Sequence, residues 1–137
     1  MLIFLRFAAL FFTGGMLYGG IETLFRGYTH WTMVIAGGLC FSILYLINKK
    51  FDCPLWKKCV MGGAVITTVE FLAGCIVNLA LGWHVWDYSH HMLNLEGQIC
   101  MLFSLLWTLL SLPAMWLSAF IQNKVFPLSG KKQKSGE

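Results

Sequence analysis

Four long apolar runs, near residues 2–25, 31–47, 59–81 and 98–121, leave this chain few ways to fold. Each is close to the about 20 residues a helix needs to cross the hydrocarbon core of a bilayer. No water reaches that core, so a spanning segment must satisfy its own backbone N–H and C=O groups. The runs are too long for barrel strands, which need about 9–11 residues. The sequence therefore predicts an all-α integral membrane protein with four transmembrane helices in one domain, residues 1–126. Composition agrees: 58% of residues are hydrophobic and 12% charged, against about 25% charged in soluble domains. Pro113, inside the fourth run, is expected to kink that helix or end its regular part.

The net charge of +4 is no nucleic-acid footprint, because the basic residues are clustered. Lys49, Lys50, Lys57 and Lys58 flank the second connection, and Lys124, Lys131, Lys132 and Lys134 follow the last run. Arg26 alone stands at the first connection and the third has no Lys or Arg. The positive-inside rule then puts both termini and the second connection in the cytoplasm of a multi-pass cell-membrane protein. Tyr28, Trp31, Trp83, Trp86 and Tyr88 are expected to form an aromatic belt at the outer interface. The start, MLIFLRFAALFF, has no basic leader or cleavage site and reads as the first span. Residues 127–137 read as a polar, basic, disordered tail.

Some residue types are informative by what they fail to build. Cys40, Cys53, Cys59, Cys75 and Cys100 show no disulfide framework, and the C-x5-C of Cys53 and Cys59 is a poor zinc spacing. No Ser-His-Asp, P-loop or zinc-protease pattern occurs. The chain is read as no enzyme and as needing no cofactor or metal. An ATPase serving it would be a separate chain.

Polar residues inside the runs carry the functional question. Gly63, Thr67, Glu70, Gly74 and Asn78 share one face of the third helix at roughly 100° per residue. Ala8, Gly15, Gly19, Glu22 and Arg26 do so on the first, and Ser104, Trp107, Ser111 and Ser118 on the fourth. Small residues let helices approach and polar ones hydrogen-bond across the contact. The faces of the first and third helices are expected to meet each other or a common cavity. Glu70 lies near mid-span, where a charge costs at least about 2.5–3.5 kcal/mol. It must be protonated, paired or in a wet cavity. It reads either as a cation- or proton-binding carboxylate or as a hydrogen-bond partner of Thr, Ser or Asn. Glu22 and Arg26 read as an i,i+4 pair. Asn78 is helix glue or a ligand near the outer mouth.

The connection WDYSHHMLNLEGQIC, residues 86–100, is the one polar, aromatic-edged stretch between the last two runs. His84, Asp87, His90, His91 and Glu96 fit no metal template. An interfacial or re-entrant loop is the preferred reading, since irregular backbone at membrane depth is tolerated when buried in protein. An internal echo crosses the chain as well. Gly14-Gly15-x6-Glu22 recurs as Gly62-Gly63-x6-Glu70, and Gly37-x-Leu39-Cys40 as Gly97-x-Ile99-Cys100. Two repeated helical hairpins or chance in apolar sequence both account for it.

The runs Thr67-Thr68-Val69-Glu70-Phe71-Leu72-Ala73-Gly74, Trp86-Asp87-Tyr88-Ser89, Asn94-Leu95-x-Gly97-Gln98-Ile99-Cys100 and Phe103-Ser104-Leu105-Leu106-Trp107 resemble the ABC-transporter type IV (permease) family. The C-terminal half carries the likeness well and the first helix more loosely. The resemblance implies an all-helical membrane protein, and the family's name implies transport. It picks out Glu70, Gly74, Trp86, Asp87, Tyr88, Asn94, Gly97 and Gln98. Together these expectations describe a small transporter or channel-like subunit that moves a small solute or ion. Glu22, Glu70, Asn78, Asp87 and Gln98 would line its polar path. Trp86, Tyr88, Ser89, Asn94 and Gly97 would form a gate or rim. Gly15, Gly19, Gly63 and Gly74 would pack the helices. Four helices make a thin wall, so a homo-oligomer or other membrane subunits are expected within the bilayer. The competing expectation is a non-transporting scaffold or regulatory partner whose polar groups are interhelical glue.

Overall fold

A computed structural model describes residues 1–126; the expected tail, 127–137, lies outside the described residues. Four helices form in chain order: α1 (Leu2–Arg26), α2 (Trp31–Lys50), α3 (Leu55–Gly74) and α4 (Met101–Val125). A π-helical turn, Cys75–Ala80, extends α3 to a continuous helical span of 26 residues. All four are long and apolar enough to cross a membrane. The protein is a multi-pass, all-helical membrane protein in contact with lipid.

Local chemistry sets the helix ends. Gly27 closes α1 at φ +80°, a left-handed conformation that costs glycine little. The His30 ring nitrogen accepts from the Thr32 N–H at 3.3 Å and caps α2. Pro54 precedes the first turn of α3. Its fixed φ suits a helix start, where no N–H partner is needed. Pro113 does not end α4, which stays helical to Val125. The last helix also starts three residues later than the apolar run suggests, because Gln98, Ile99 and Cys100 belong to the preceding loop.

The helices pack as two hairpins. α1 lies along α2 and α3 along α4, while α2 touches both α3 and α4. α1 barely meets α4 and does not meet α3. This corrects the expectation that the small-residue faces of α1 and α3 meet each other. A Cβ on Gly15 would lie 2.7 Å from the Val34 carbonyl oxygen of α2, and one on Gly63 would collide with Thr108 of α4. Each glycine face thus serves the neighbour within its own hairpin. The echoed pairs behave alike only in part: Gly14 approaches Phe41 and Gly37 of α2, whereas Gly62 approaches both Ser111 of α4 and Leu44 of α2.

Two apolar clusters fill the bundle. Cys40, Leu44, Ile47, Ile66, Trp107 and Met115 form one toward the lysine-rich end. Met33, Val77, Val85, Trp86, Tyr88 and Cys100 form the other at the end bearing the 81–100 loop. Tyr18 and Phe103 pack against both. The loop therefore contributes core, and the aromatic-belt expectation needs correction. Trp86 is 4% exposed and Tyr88 3%, while Tyr28, Trp31 and Trp83 are exposed.

Candidate functional site: a buried carboxylate closed by a folded-back loop

The loop turns inward because its backbone is held at several points by its own polar residues. Gly82 and Gly97 take left-handed φ angles, as do His84, Leu93 and Glu96. Such angles are uncommon outside glycine and persist only where surrounding bonds enforce them. Asn94 supplies several of those bonds. Its amide donates to the His91 carbonyl at 2.8 Å and the Ser89 carbonyl at 3.3 Å, and its oxygen accepts from the Gly97 N–H at 3.1 Å. Tyr88 N–H donates to the Gly97 carbonyl at 2.7 Å, and the Trp86 indole N–H to the Gln98 carbonyl at 2.9 Å. Buried donors left without acceptors would cost about 1–3 kcal/mol each, so these bonds allow the loop to enter the bundle.

Asn78 anchors the loop to the end of α3. Its carbonyl oxygen accepts from the Val85 N–H at 2.7 Å, and its amide donates to Gln98 Oε1 at 2.8 Å. Gln98 in turn donates to the Glu96 carbonyl at 2.8 Å. Beneath this clasp, Gly74 leaves room: a Cβ there would lie 2.5 Å from Gln98 Oε1 and 2.9 Å from the Trp86 ring. The glycine expected to pack against a helix packs against the loop instead.

Glu70 is 4% exposed and has two side-chain donors. The Tyr88 hydroxyl donates to Oε1 at 3.0 Å and the Trp107 indole N–H to Oε2 at 3.0 Å. Neither is the Thr, Ser or Asn partner expected from sequence. Thr67 bonds Ser104 at 3.1 Å on a separate α3–α4 contact. Tyr88 also accepts from Arg26 Nη2 at 2.7 Å, and Arg26 pairs with Glu22 at 3.2 Å. Thr29 donates to the other Glu22 oxygen at 3.2 Å. A continuous polar chain therefore runs Glu22–Arg26–Tyr88–Glu70–Trp107, from α1 through the loop to α3 and α4. Aromatic stacking fixes its middle: Tyr88 lies on Phe103 at 4.8 Å and Tyr18 on Trp107 at 5.4 Å between centroids.

The other expected residues divide. Glu22 and Glu70 join through Arg26 and Tyr88, whereas Asn78 and Gln98 form the neighbouring clasp. Asp87 and Ser89 are exposed and join neither. The Asp87 carboxylate accepts from the Ser89 N–H at 2.8 Å, and that bond holds it below the usual carboxylate range. Asp87 thus shapes a turn at the loop surface. Among the described residues, no three His, Cys, Asp or Glu side chains converge to hold a metal. Trp107 stood in the α4 stripe, but its bond to Glu70 had no sequence signal, because spacing within one helix says nothing of rotation against another.

A cavity of about 740 Å³ lies against the chain's exposed side, bounded by Glu22, Arg26, Tyr88, His91 and Trp107 among others. The sequence profile of the family described as Putative ABC-transporter type IV matches residues 3–134. The chain belongs to this family. The match takes in α1 as well as the C-terminal half, so the permease-type likeness covers both hairpins. Among curated proteins, none matches the chain. No solved structure matches it either. Within this transporter-type protein, the residues of the W-D-Y-S and N-L-x-G-Q-I-C runs have distinct physical tasks. Trp86, Asn94, Gly97 and Gln98 hold the loop's shape, and Tyr88 carries it to Glu70.

Proposed function

We propose that this transporter-family protein moves a small solute or ion along a polar path centred on Glu70, with Tyr88 as the gate. One observation carries the reading: the Tyr88 hydroxyl bridges Arg26 at 2.7 Å and Glu70 at 3.0 Å. A loop residue thereby seals a buried carboxylate from the cavity beside it. Displacing the loop would expose Glu70 and free Arg26 together. Glu22, Asn78 and Gln98 are the remaining polar residues of the path, and Asp87 marks its mouth. The family is a transporter class and not an enzyme class. Lysine placement supports cytoplasmic termini in the cell membrane. The thin four-helix wall supports a homo-oligomer or further membrane subunits. ATP hydrolysis, if coupled, belongs to another chain.

A second reading is favoured by the completeness of the polar bonding. Among the described residues, Arg6 Nε is the one buried side-chain polar atom with no partner. A scaffold whose polar groups are interhelical glue would be built this way. Flux separates the two readings. Purified protein in liposomes should pass cations or protons down an imposed gradient, Glu70→Gln should abolish passage while remaining folded, and Tyr88→Phe should raise leak. Silent wild-type protein, or unchanged flux in folded Glu70→Gln, would establish the scaffold reading.

A further inference from the structure

The cavity beside Tyr88 has an unusual wall for an ion path. Apolar atoms make up most of its surface, and it adjoins a second cavity of about 300 Å³ lined almost wholly by apolar atoms. Tyr18, Ile21, Trp107 and Leu110 line both. The two lie between α1 and α4, on either side of the Tyr18–Trp107 stack that joins them. Exposed side chains flank the gap, including Phe25 at 80% and Leu109 at 70% exposure. Between the two spanning helices the apolar rim opens toward lipid, while Asp87 and His91 of the exposed loop stand at the cavity's outer end. Volumes of about 300–1,000 Å³ with apolar walls and a few polar groups suit ligands of drug or lipid size.

The polar end limits the ligand's charge. At the cavity's buried polar end Glu22 and Arg26 lie 3.2 Å apart and neutralise each other; Asp87 and His91 line its mouth on the exposed loop, where Asp87 already accepts from the Ser89 N–H. Glu70 does not line the cavity and is screened from it by Tyr88 and Trp107. A charged headgroup would have to compete for one member of the Glu22–Arg26 pair and leave the other charge poorly compensated in an apolar site. A neutral headgroup faces no such conflict. Arg26 has five N–H donors, and its bonds to Glu22 and Tyr88 leave others to offer. An oxygen acceptor at the end of an apolar chain meets both halves of the cavity.

We propose that this cavity binds a neutral, long-chain amphiphile that enters sideways from the bilayer, with its oxygen-bearing end at Arg26 and Tyr88. The assignment goes beyond the transport reading above: it is a lipid-side site next to the Tyr88 gate, separate from the Glu70-centred path of the solute or ion.

The test uses the full chain in phosphatidylcholine nanodiscs and a diazirine-bearing hexadecanol as probe. Cross-links are mapped by mass spectrometry. Saturable labelling should concentrate on the α1–α4 gap, at Ile21 and Leu110. Leu110→Trp, which fills the shared wall, should cut it about tenfold, an affinity loss of about 1.4 kcal/mol. Leu112→Trp, on an exposed position of α4 outside both cavities, should leave it unchanged. Palmitate and hexadecylamine should compete at least about tenfold more weakly than unlabelled hexadecanol. Labelling that does not saturate and spreads over all lipid-facing helices overturns the proposal, because that is bulk lipid behaviour. Equal competition by either charged analogue overturns it too. The labelling reads the cavity and the Glu70→Gln flux reads transport, so the failure of one is distinguishable from the failure of the other.

Discussion

Tyr88 makes the most consequential contacts of any single residue in this protein. Its ring is buried on Phe103 while its hydroxyl serves two ionisable side chains on two other elements. Tyr88→Phe keeps the ring and deletes both bonds. Polar contacts within membrane bundles are worth about 0.6–1.7 kcal/mol, so this variant should lose stability on that scale in detergent. A coupling measurement sharpens the test. Combining Tyr88→Phe with Glu70→Gln should cost less than the sum of the two single changes, since both act on one bond. Strict additivity in a chemical denaturation series would show that the bond contributes nothing. Asp87 offers a contrasting case. Its folded carboxyl is held below its ordinary range by the Ser89 N–H. The turn's contribution is therefore present above the ordinary carboxylate pKa of about 4 and is lost as pH falls through the lower folded value. Amide hydrogen exchange at residues 87–91 should rise on that acid side in the wild type. In Asp87→Asn the exchange should show no such pH response, and a response of equal size would remove Asp87 from the turn's acid sensitivity.

At the scale of elements, the glycines separate into those that permit contact and those that merely occupy a helix. Gly15 stands 2.7 Å, by its missing Cβ, from a backbone oxygen of α2. Gly19, one turn on, would meet Val34 at 3.4 Å, an ordinary contact. Gly15→Ala should therefore destabilise by about 1–3 kcal/mol, the usual effect of overpacking. Gly19→Ala should be neutral or gain up to about 1 kcal/mol from helix propensity. Thermal unfolding of the two variants in the same detergent checks the difference in sign. If Gly19→Ala were the more damaging, the α1–α2 contact would lie elsewhere. Gly74 belongs to neither group. Gly74→Leu pushes on Gln98 and Trp86, so it should first release the loop, seen as rising hydrogen exchange at 85–98, and only then weaken the bundle. Spacing alone had placed Gly63 and Gly74 in one role; the approach of Thr108 to one and of Gln98 to the other separates them.

For the whole molecule, two hairpins joined through α2 leave one side open between α1 and α4. That opening carries the cavity of about 740 Å³ beside the polar chain. Lysines at one end and none in the 81–100 loop support the proposed sidedness. Ser89→Cys, in a cysteine-free background, should react with an impermeant reagent added outside intact cells, and labelling only from the cytoplasmic side would invert the topology. The hairpin echo gains physical content here. Gly14-Gly15 and Gly62-Gly63 each face the second helix of their own hairpin, although Gly62 also abuts Leu44 of α2. The halves still differ in their connections, since a four-residue turn joins α1 to α2 and the folded-back loop joins α3 to α4.

By itself the sequence determined the membrane-spanning class, the four helices within a few residues, the Glu22–Arg26 pair and the mid-span place of Glu70. These are local matters: hydropathy over one span, spacing along one helix, and the identity of residues within a run. Only the tertiary structure decided who meets whom. It brought Tyr88 and Trp107 to Glu70, turned Trp86 inward, left Asp87 in solvent and kept α1 away from α3. Those outcomes depend on helix rotation and on where a loop's backbone bonds are satisfied. An apolar span shows similar hydrophobicity on every side, so its pattern cannot say which side another helix takes. The bonds between Asn78, Val85 and Gln98 settle the loop's depth, and they exist only once the loop has folded back onto the end of α3.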